Sequence, residues 1–247
     1  MTDHWKAASQ AFALNDFQRA ENALNQLLTE EPEHSPGMHL LALTRVRLGQ
    51  LDAAHEPLEQ LVSQGLGRAQ VYADLGLIRY KQGLFEESEA ALRQALELQA
   101  VYPDARAMLG AVLMATSRFE EARAFLDAAL EFNPEHPQAL ANLAILEARS
   151  GKASRALDMW ERAVRVVPDQ EEAHANLVGA WSADTADRLV ALYSDLTSRH
   201  PESPVCQFYA GRVAMLSGDA ARAAESFQRA IALDPSMSGA FVQLGHV

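Results

Sequence analysis

The sequence has little of what disulfide-linked or exported proteins need. It contains one cysteine, Cys206, so no intrachain disulfide can form and a multi-cysteine metal site is excluded. The chain opens Met-Thr-Asp-His-Trp-Lys and enters a helical pattern at once, without the basic stretch and apolar run of a secretory signal. We therefore expect a reducing, cytoplasmic location.

Basic residues and long apolar runs are also scarce. Lys and Arg total 21 against 33 Asp and Glu, which gives a formal net charge of −12. A negative protein is repelled by phosphate backbones and by anionic lipid surfaces. No apolar stretch approaches the roughly 20 residues that a membrane-spanning helix requires. We expect neither a nucleic-acid partner nor membrane insertion.

What the sequence does have is a period of 34 residues. A small residue recurs at one phase, and a large apolar residue follows it four positions later. The small residues are Ala20, Ala54, Ser88, Ala122 and Ala156, and the large ones are Leu24, Leu58, Leu92, Leu126 and Trp160. Such a period is typical of a helical solenoid, whose surface serves to bind other molecules.

The period divides the chain into repeats when Pro134, Pro168 and Pro235 are taken as closing marks. The fifteenth position is often glycine, where a helix should stop and the chain turn back through a left-handed conformation; these glycines are Gly49, Gly83, Gly151 and Gly218. The pattern predicts one array of about seven helix–turn–helix repeats and the first helix of an eighth. Their bounds are 1-34, 35-68, 69-102, 103-136, 137-170, 171-203, 204-237 and, in part, 238-247.

Several residues of this register resemble the signature of the tetratricopeptide repeat (TPR) family. The first helices carry a large residue beside a small one, as in Leu75-Gly76 and Leu109-Gly110, so that two helices can approach closely. The second helices match best in two places, at Trp160, Ala163 and Pro168, and at Phe227, Ala230 and Pro235. The resemblance covers essentially the whole chain. It implies an all-α, right-handed superhelical solenoid of TPR units that acts in protein binding.

Three departures from the pattern carry expectations of their own. Pro57 falls in a second helix, which should be kinked or start late. The sixth repeat lacks one residue around Ser182–Asp184, which should shorten its inter-helix turn. Residues 238-247 open an eighth repeat without the polar cap that usually closes a solenoid. From this end we expect an N-terminal fragment of a longer protein, unless a single terminal helix suffices.

Motifs of catalysis are not evident in the sequence. It has no His-Glu-x-x-His pair, no Gly-x-Ser-x-Gly elbow and no Gly-Lys-Ser/Thr phosphate loop. Cys206 lacks a motif partner, so a packing role is the better interpretation. Paired acids such as Glu86-Glu87 and Glu120-Glu121 recur near helix starts, where negative charge complements the helix dipole. We therefore expect no catalytic residue, metal site or cofactor in this chain.

The resemblance also implies where a ligand binds, because the first helices of TPR proteins line a concave groove. Asn142 and Asn176 occupy the same groove position in successive repeats, and an amide can both donate to and accept from a peptide backbone. This arrangement is similar to the asparagine ladder of O-GlcNAc transferases, although Asn also suits a solvated helix position. Further candidates are the basic Arg47, Lys81, Arg149 and Arg212, which would attract an acidic peptide or form a solvated face, and the aromatic Tyr80, Phe208 and Tyr209.

Three functions fit these features. The first is a scaffold or adaptor that binds a peptide or a partner segment in its groove. The second is the substrate-recruiting or dimerising N-terminal region of a larger enzyme, a transferase such as a glycosyltransferase or sulfotransferase. The third is a homo-oligomer that forms through the uncapped C-terminal end.

Overall fold

The computed structural model describes residues 3–247, which form sixteen α-helices and no β-strand. Within this range no helix has both the length and the apolar character needed to cross a membrane. The helices group into two compact units, Met1–Phe132 (the N-terminal unit) and Asn133–Val247 (the C-terminal unit).

The N-terminal unit contains nine described helices. They are α1 (Asp3–Ala13), α2 (Phe17–Glu30), α3 (Ser35–Arg47), α4 (Leu51–Ala54), α5 (Glu56–Ser63), α6 (Ala69–Lys81), α7 (Phe85–Leu98), α8 (Pro103–Ala115) and α9 (Phe119–Phe132). The C-terminal unit contains seven described helices. They are α10 (Pro137–Arg149), α11 (Ala153–Val166), α12 (Glu171–Gly179), α13 (Ala186–Arg199), α14 (Pro204–Leu216), α15 (Ala220–Leu233) and α16 (Ser238–Leu244).

Tight left-handed turns join most first helices to second helices. The four glycines predicted for these turns have φ between 73° and 81°, a region that residues with a Cβ rarely adopt. Asn15 and Ser117 stand at the same repeat position with φ of 60° and 62°. The predicted turn geometry is therefore confirmed, and it extends to two positions where the sequence has no glycine.

Small residues in the first helices allow the close approach that the sequence predicts. A Cβ added at Gly110 would lie 2.6 Å from Cγ of Leu126, and one added at Gly76 would lie 2.6 Å from Cγ of Leu92. Both leucines are fully buried. Each contact joins a first helix to the second helix of the same repeat. The small and large residues that recur every 34 residues therefore reflect the packing of these two helices.

Pro57 interrupts the second helix of its repeat, as expected. The helix is split into α4 and α5, and Pro57 lies in the first turn of α5. Proline lacks an amide hydrogen and cannot complete the hydrogen-bond ladder of a helix interior. The Arg45 guanidinium donates to the carbonyl oxygen of Ala53 at 2.7 Å, which satisfies a carbonyl next to the break.

The sixth repeat differs from its prediction. Its inter-helix turn is longer than in the other repeats, because α12 ends at Gly179 and α13 begins at Ala186. The missing residue is absorbed by early termination of α12, and the expectation of a shorter turn was wrong. The hydroxyl of Thr185 stabilises the longer connection by accepting from the amide of Ser182 and donating to the carbonyl of Ala180.

Candidate functional site

The nine candidate groove residues divide between the two units. Arg47, Tyr80 and Lys81 lie in the N-terminal unit and the other six in the C-terminal unit. Arg47 and Lys81 are exposed at the ends of α3 and α6. The guanidinium of Arg47 lies 6.0 Å from the ring centre of Phe17, and the ring of Tyr80 packs 5.8 Å from that of Phe85. Arg47 and Tyr80 therefore contact aromatic residues that begin the second helices.

Asn142 is the most buried of the polar candidates. It is 8% exposed, and its Nδ2 is buried without a hydrogen-bond partner among the described residues. Asn176, one repeat later, is half-buried on α12, and Arg149 is exposed at the end of α10. A buried amide that donates to nothing is an exception to the usual pairing of polar groups. Among the candidates, Asn142 therefore has the clearest hydrogen-bond donor that is left without an acceptor.

The three remaining candidates lie together on α14. The ring of Phe208 is 5.0 Å from that of Tyr209, and the guanidinium of Arg212 is 5.8 Å from the Tyr209 ring. Tyr209 is only 4% exposed, so most of its surface belongs to the core. Phe208 is half-buried, and both rings line a cavity of about 210 Å³ with Val205 and Met237, so the two differ in exposure. Phe208 is therefore better placed than Tyr209 to touch a ligand.

A buried histidine supports this aromatic cluster. His174 stacks on Tyr209 with the ring centres 5.2 Å apart. Its Nε2 lies 2.8 Å from the carbonyl oxygen of Pro168, which can only accept, so Nε2 carries the proton. Its Nδ1 then accepts from the hydroxyl of Tyr193 at 2.9 Å. Burial lowers the pKa of His174 to about 4, because desolvation disfavours the charged ring. His174 is neutral at physiological pH.

In the N-terminal unit the structure forms a polar network at groove positions that the candidate set omits. His39 Nε2 lies 2.6 Å from Asp74 Oδ2, and the side-chain amide of Gln70 donates to both oxygens of Asp74 at 3.1 and 3.2 Å. The hydroxyl of Tyr102 donates to Oε1 of Gln70. His39 belongs to one repeat and the other three residues to the next, so the contact between His39 and Asp74 depends on how the two repeats stack. The sequence signal was that His39, Gln70 and Asp74 occupy positions that the family resemblance places in the groove; Tyr102 does not.

Two cavities flank this network. One of about 460 Å³ is lined by Pro36, His39, Leu61, Leu66 and Arg68 among others. The other, of about 180 Å³, is lined by Gln70, Ala73, Asp74, Leu77, Leu92, Tyr102, Asp104, Ala105 and Met108. His39 lines the first cavity and Asp74 the second, so their hydrogen bond joins a residue of one cavity wall to a residue of the other. The first cavity includes Leu61 of α5 and Leu66 of the connection that follows it, and the second includes side chains of α6 and α8.

The surroundings of Cys206 indicate a packing role, and the described residues form no metal-binding cluster. Cys206 is buried, its Sγ lies 3.3 Å from the carbonyl oxygen of Pro168, and burial raises the pKa of its thiol. A raised pKa leaves the thiol protonated and weakly nucleophilic. Across residues 3–247, no three or more His, Cys, Asp or Glu side chains are grouped so that they could hold a metal ion.

Comparison with known proteins gives a consistent family match. One tetratricopeptide repeat family model matches residues 73–139 and 190–238, and a second matches residues 11–76 and 118–180. No curated protein matches the chain.

Solved structures of similar fold share little sequence with this chain. A tetratricopeptide repeat protein from Parabacteroides merdae is similar over 98% of this chain and 96% of its own, with a TM-score of 0.65 and 15% identity. A thermophilic TPR protein from Thermus thermophilus is similar over 72% of this chain and 97% of its own, with a TM-score of 0.60 and 22% identity. YrrB, described as a TPR protein with an unusual peptide-binding site, is similar over 68% and 88%, with a TM-score of 0.53 and 22% identity. At these identities the likeness establishes the fold.

Proposed function

Because this chain belongs to the tetratricopeptide repeat family, we propose that it is a scaffold that binds an extended peptide, or a segment of a partner protein, along the first helices of its repeats. The proposal treats residues 1-247 as one array and assigns recognition, not catalysis, to this chain. It also includes a cytoplasmic location, supported by the single buried thiol of Cys206.

The unpaired amide of Asn142 is the observation that carries this proposal. Leaving a buried donor unsatisfied costs about 1–3 kcal/mol, so the free protein bears a penalty at this position. A peptide carbonyl placed against Nδ2 would remove that penalty and gain a hydrogen bond. A backbone carbonyl is present in every residue of a ligand, so this contact favours binding without selecting a side chain.

Gln170 offers the complementary group in the same unit. Its Oε1 is buried without a partner among the described residues, while its Nε2 donates to the carbonyl oxygen of Pro137 at 3.4 Å. Asn142 and Gln170 occupy the repeat positions that Asp74 and Tyr102 hold two repeats earlier, where the two side chains line one cavity. A peptide backbone carries both a carbonyl, which can accept from Asn142, and an amide, which can donate to Gln170.

Small side chains leave space for a ligand beside these amides. Ala175 precedes Asn176 on α12 and is exposed, and a Cβ added at Gly179 would meet nothing within 4 Å. A peptide backbone can therefore approach α12 closely. The peptide-binding site named for YrrB supports this use of the fold, although the identity is too low to transfer particular residues.

The test is peptide selection followed by substitution of the two asparagines. A random peptide library displayed on phage is selected on the intact chain, and the affinity of an enriched peptide is measured by fluorescence anisotropy. We expect the double variant Asn142→Ala, Asn176→Ala to bind about tenfold more weakly or worse, since each hydrogen bond contributes about 1 kcal/mol. The melting temperature should stay the same or rise, because Asn142→Ala removes an unsatisfied buried donor.

The matched control is Asn25→Ala, an exposed asparagine on the second helix α2, which should leave affinity unchanged. A purely structural role of Asn142 would instead lower the melting temperature and spare the affinity. Failure of the library to yield any peptide that binds the folded chain would reject the proposed function.

A further inference from the structure

We propose that the cavity of about 180 Å³ in the N-terminal unit is a pocket for a lysine or arginine side chain of the bound peptide. This inference rests on the proposed function and deepens it, because it names the chemistry of one ligand residue. The cavity is lined by side chains of α6 and α8 together with Leu92 and Tyr102. It is smaller than the roughly 300–1,000 Å³ of small-molecule sites, so it suits a single side chain.

The wall of the pocket is apolar. Ala73 and Leu77 stand on α6, Ala105 and Met108 on α8, and all four line the cavity. Lys and Arg bury their methylene stems along such surfaces and keep the charged head in a polar environment. The walls therefore match the stem of a long cationic side chain as well as they match a purely aliphatic one. The choice between the two depends on the polar end of the cavity.

Two carboxylates form that polar end. Asp104 is exposed in the first turn of α8, and Asp74 is buried on α6. Oδ2 of Asp74 contacts His39 at 2.6 Å and the Gln70 amide at 3.1 Å, whereas Oδ1 accepts only from Gln70 among residues 3–247, at 3.2 Å. Since a carboxylate oxygen has two lone pairs, Oδ1 retains capacity for one more donor. An ammonium or guanidinium head supplies that donor with the opposite charge.

The pKa of the Tyr102 hydroxyl is affected by the same two carboxylates. Burial, and then the charges of Asp74 and Asp104, raise its pKa to about 12. The hydroxyl therefore stays protonated and continues to donate to Gln70, which holds the Gln70 amide against Asp74. The network keeps the carboxylate of Asp74 in place before any ligand arrives, so little ordering cost remains for binding.

His39, the basic side chain that contacts Asp74, lines the neighbouring cavity, and the side chain of Arg106 is held by other groups. Arg106, two residues after Asp104, donates to the carbonyl oxygen of Ala100 at 2.8 Å, and its guanidinium lies 5.5 Å from the ring centre of Phe132. The described residues that line the cavity include neither Lys nor Arg. The chain as a whole carries a net charge of −12, which speeds the encounter with a basic peptide. Both the local and the overall charge favour a basic ligand over an acidic one.

The direct test uses probes that differ only in the head group. Alanine and methionine methyl groups of the intact chain are isotope-labelled, and NMR shifts of Ala73, Ala105 and Met108 are followed on addition of Nα-acetyl-lysine N-methylamide. The norleucine analogue, which has the same stem without the charge, is the comparison. We expect saturable shifts at these three methyl groups and an affinity at least about tenfold higher for the lysine probe. Equal affinity for the two probes would overturn the inference.

Variants assign the effect to this pocket. Asp104→Asn should weaken binding of the lysine probe about five- to tenfold, whereas Glu172→Gln, which removes a charge at the equivalent position of α12, should have no effect. Ala73→Leu, which fills the cavity without changing charge, should abolish the shifts at Ala105 and Met108 while circular dichroism remains helical. Unchanged lysine affinity in both Asp104→Asn and Ala73→Leu would also overturn the inference.

The peptide library separates this inference from the proposed function. Enrichment of Lys or Arg at one ligand position, lost on selection against Asp104→Asn, would support both. Peptides that bind without any basic preference would reject the pocket and leave the scaffold function standing.

Discussion

The fourth and sixth repeats reach a helical pair by different contacts. In the fourth repeat α8 has 13 residues and α9 follows after residues 116–118, and Gly110 allows the helix to approach Leu126 closely. In the sixth repeat α12 has only nine residues, and residues 180–185 precede α13. The sixth repeat therefore lacks about one turn of first helix that the fourth repeat uses for packing.

Larger side chains in the sixth repeat compensate for the missing turn. Leu189 is fully buried on α13 at the position where most other repeats have alanine. Tyr193 on the same helix donates to His174, and His174 stacks on Tyr209 of α14. A repeat can therefore lose helix length when a buried hydrogen bond and aromatic stacking replace the contact made by small residues.

The largest expected effect follows from this buried histidine. The pKa of His174 falls from 6.5 to about 4 in the folded chain, so the unfolded chain binds the proton more tightly. The free energy of unfolding is therefore unaffected by this group above about pH 6.5, and it decreases as the pH falls from there towards 4. The loss should reach roughly 3 kcal/mol. Urea unfolding of the chain at a series of pH values would measure it.

The control for this prediction is the variant His174→Phe. The change of its unfolding free energy with pH is compared with that of the original chain. The variant has lower stability at neutral pH because it loses two hydrogen bonds, but its stability should fall less steeply between pH 6.5 and 4. Acidic groups contribute equally to both proteins and cancel in the difference. His246→Gln, at an exposed position, should keep the original slope. Equal slopes for the chain and His174→Phe would contradict the assigned burial.

Glycine substitutions test the close contact of the fourth repeat. In Gly110→Ala the new Cβ would lie 2.6 Å from Cγ of Leu126, so one of the packed helices must move. We expect the free energy of unfolding to fall by about 2 kcal/mol, as for other overpacked cores. Gly179→Ala is the matched variant in the sixth repeat, where a Cβ meets nothing within 4 Å.

For Gly179→Ala we expect unchanged stability or a gain of up to about 1 kcal/mol, because alanine favours helix more than glycine does. Chemical denaturation of the two variants gives both values in one experiment. A similar loss of stability in both would mean that the two repeats do not differ in packing as described.

Local features of the fold were predictable because they depend on few neighbouring residues. A left-handed turn needs a residue that tolerates positive φ, and Gly83 and Gly151 signal it directly. Pro57 signals the break between α4 and α5 for an equally local reason. The early end of α12 was not predictable in the same way, because a missing residue can be absorbed in the turn or in either helix. The side chains that settle this, Thr185 and Leu189, act through contacts within the folded repeat.

The candidate site was predictable only as a set of positions. Repeat phase places Asn142 and Asn176 at equivalent positions, but phase does not say which amide is left unpaired. The neighbouring side chains determine which amide is left unpaired. At the same repeat position, the carboxylate of Asp74 is hydrogen-bonded to His39 of the preceding repeat. Such contacts join residues far apart in sequence, and so they appear only when the stacked helices are known.

The smallest expected effect concerns the turns themselves. Ser117 holds φ of 62° in the turn of the fourth repeat, where a side chain costs roughly 1 kcal/mol relative to glycine. Ser117→Gly should therefore raise the free energy of unfolding by about 0.5–1 kcal/mol. Thr185, the last residue of the longer connection, has φ of −106° and a hydroxyl that bonds Ser182 and Ala180. Thr185→Gly should lower stability by about 1 kcal/mol, so opposite signs in thermal unfolding would confirm that the two repeats turn differently.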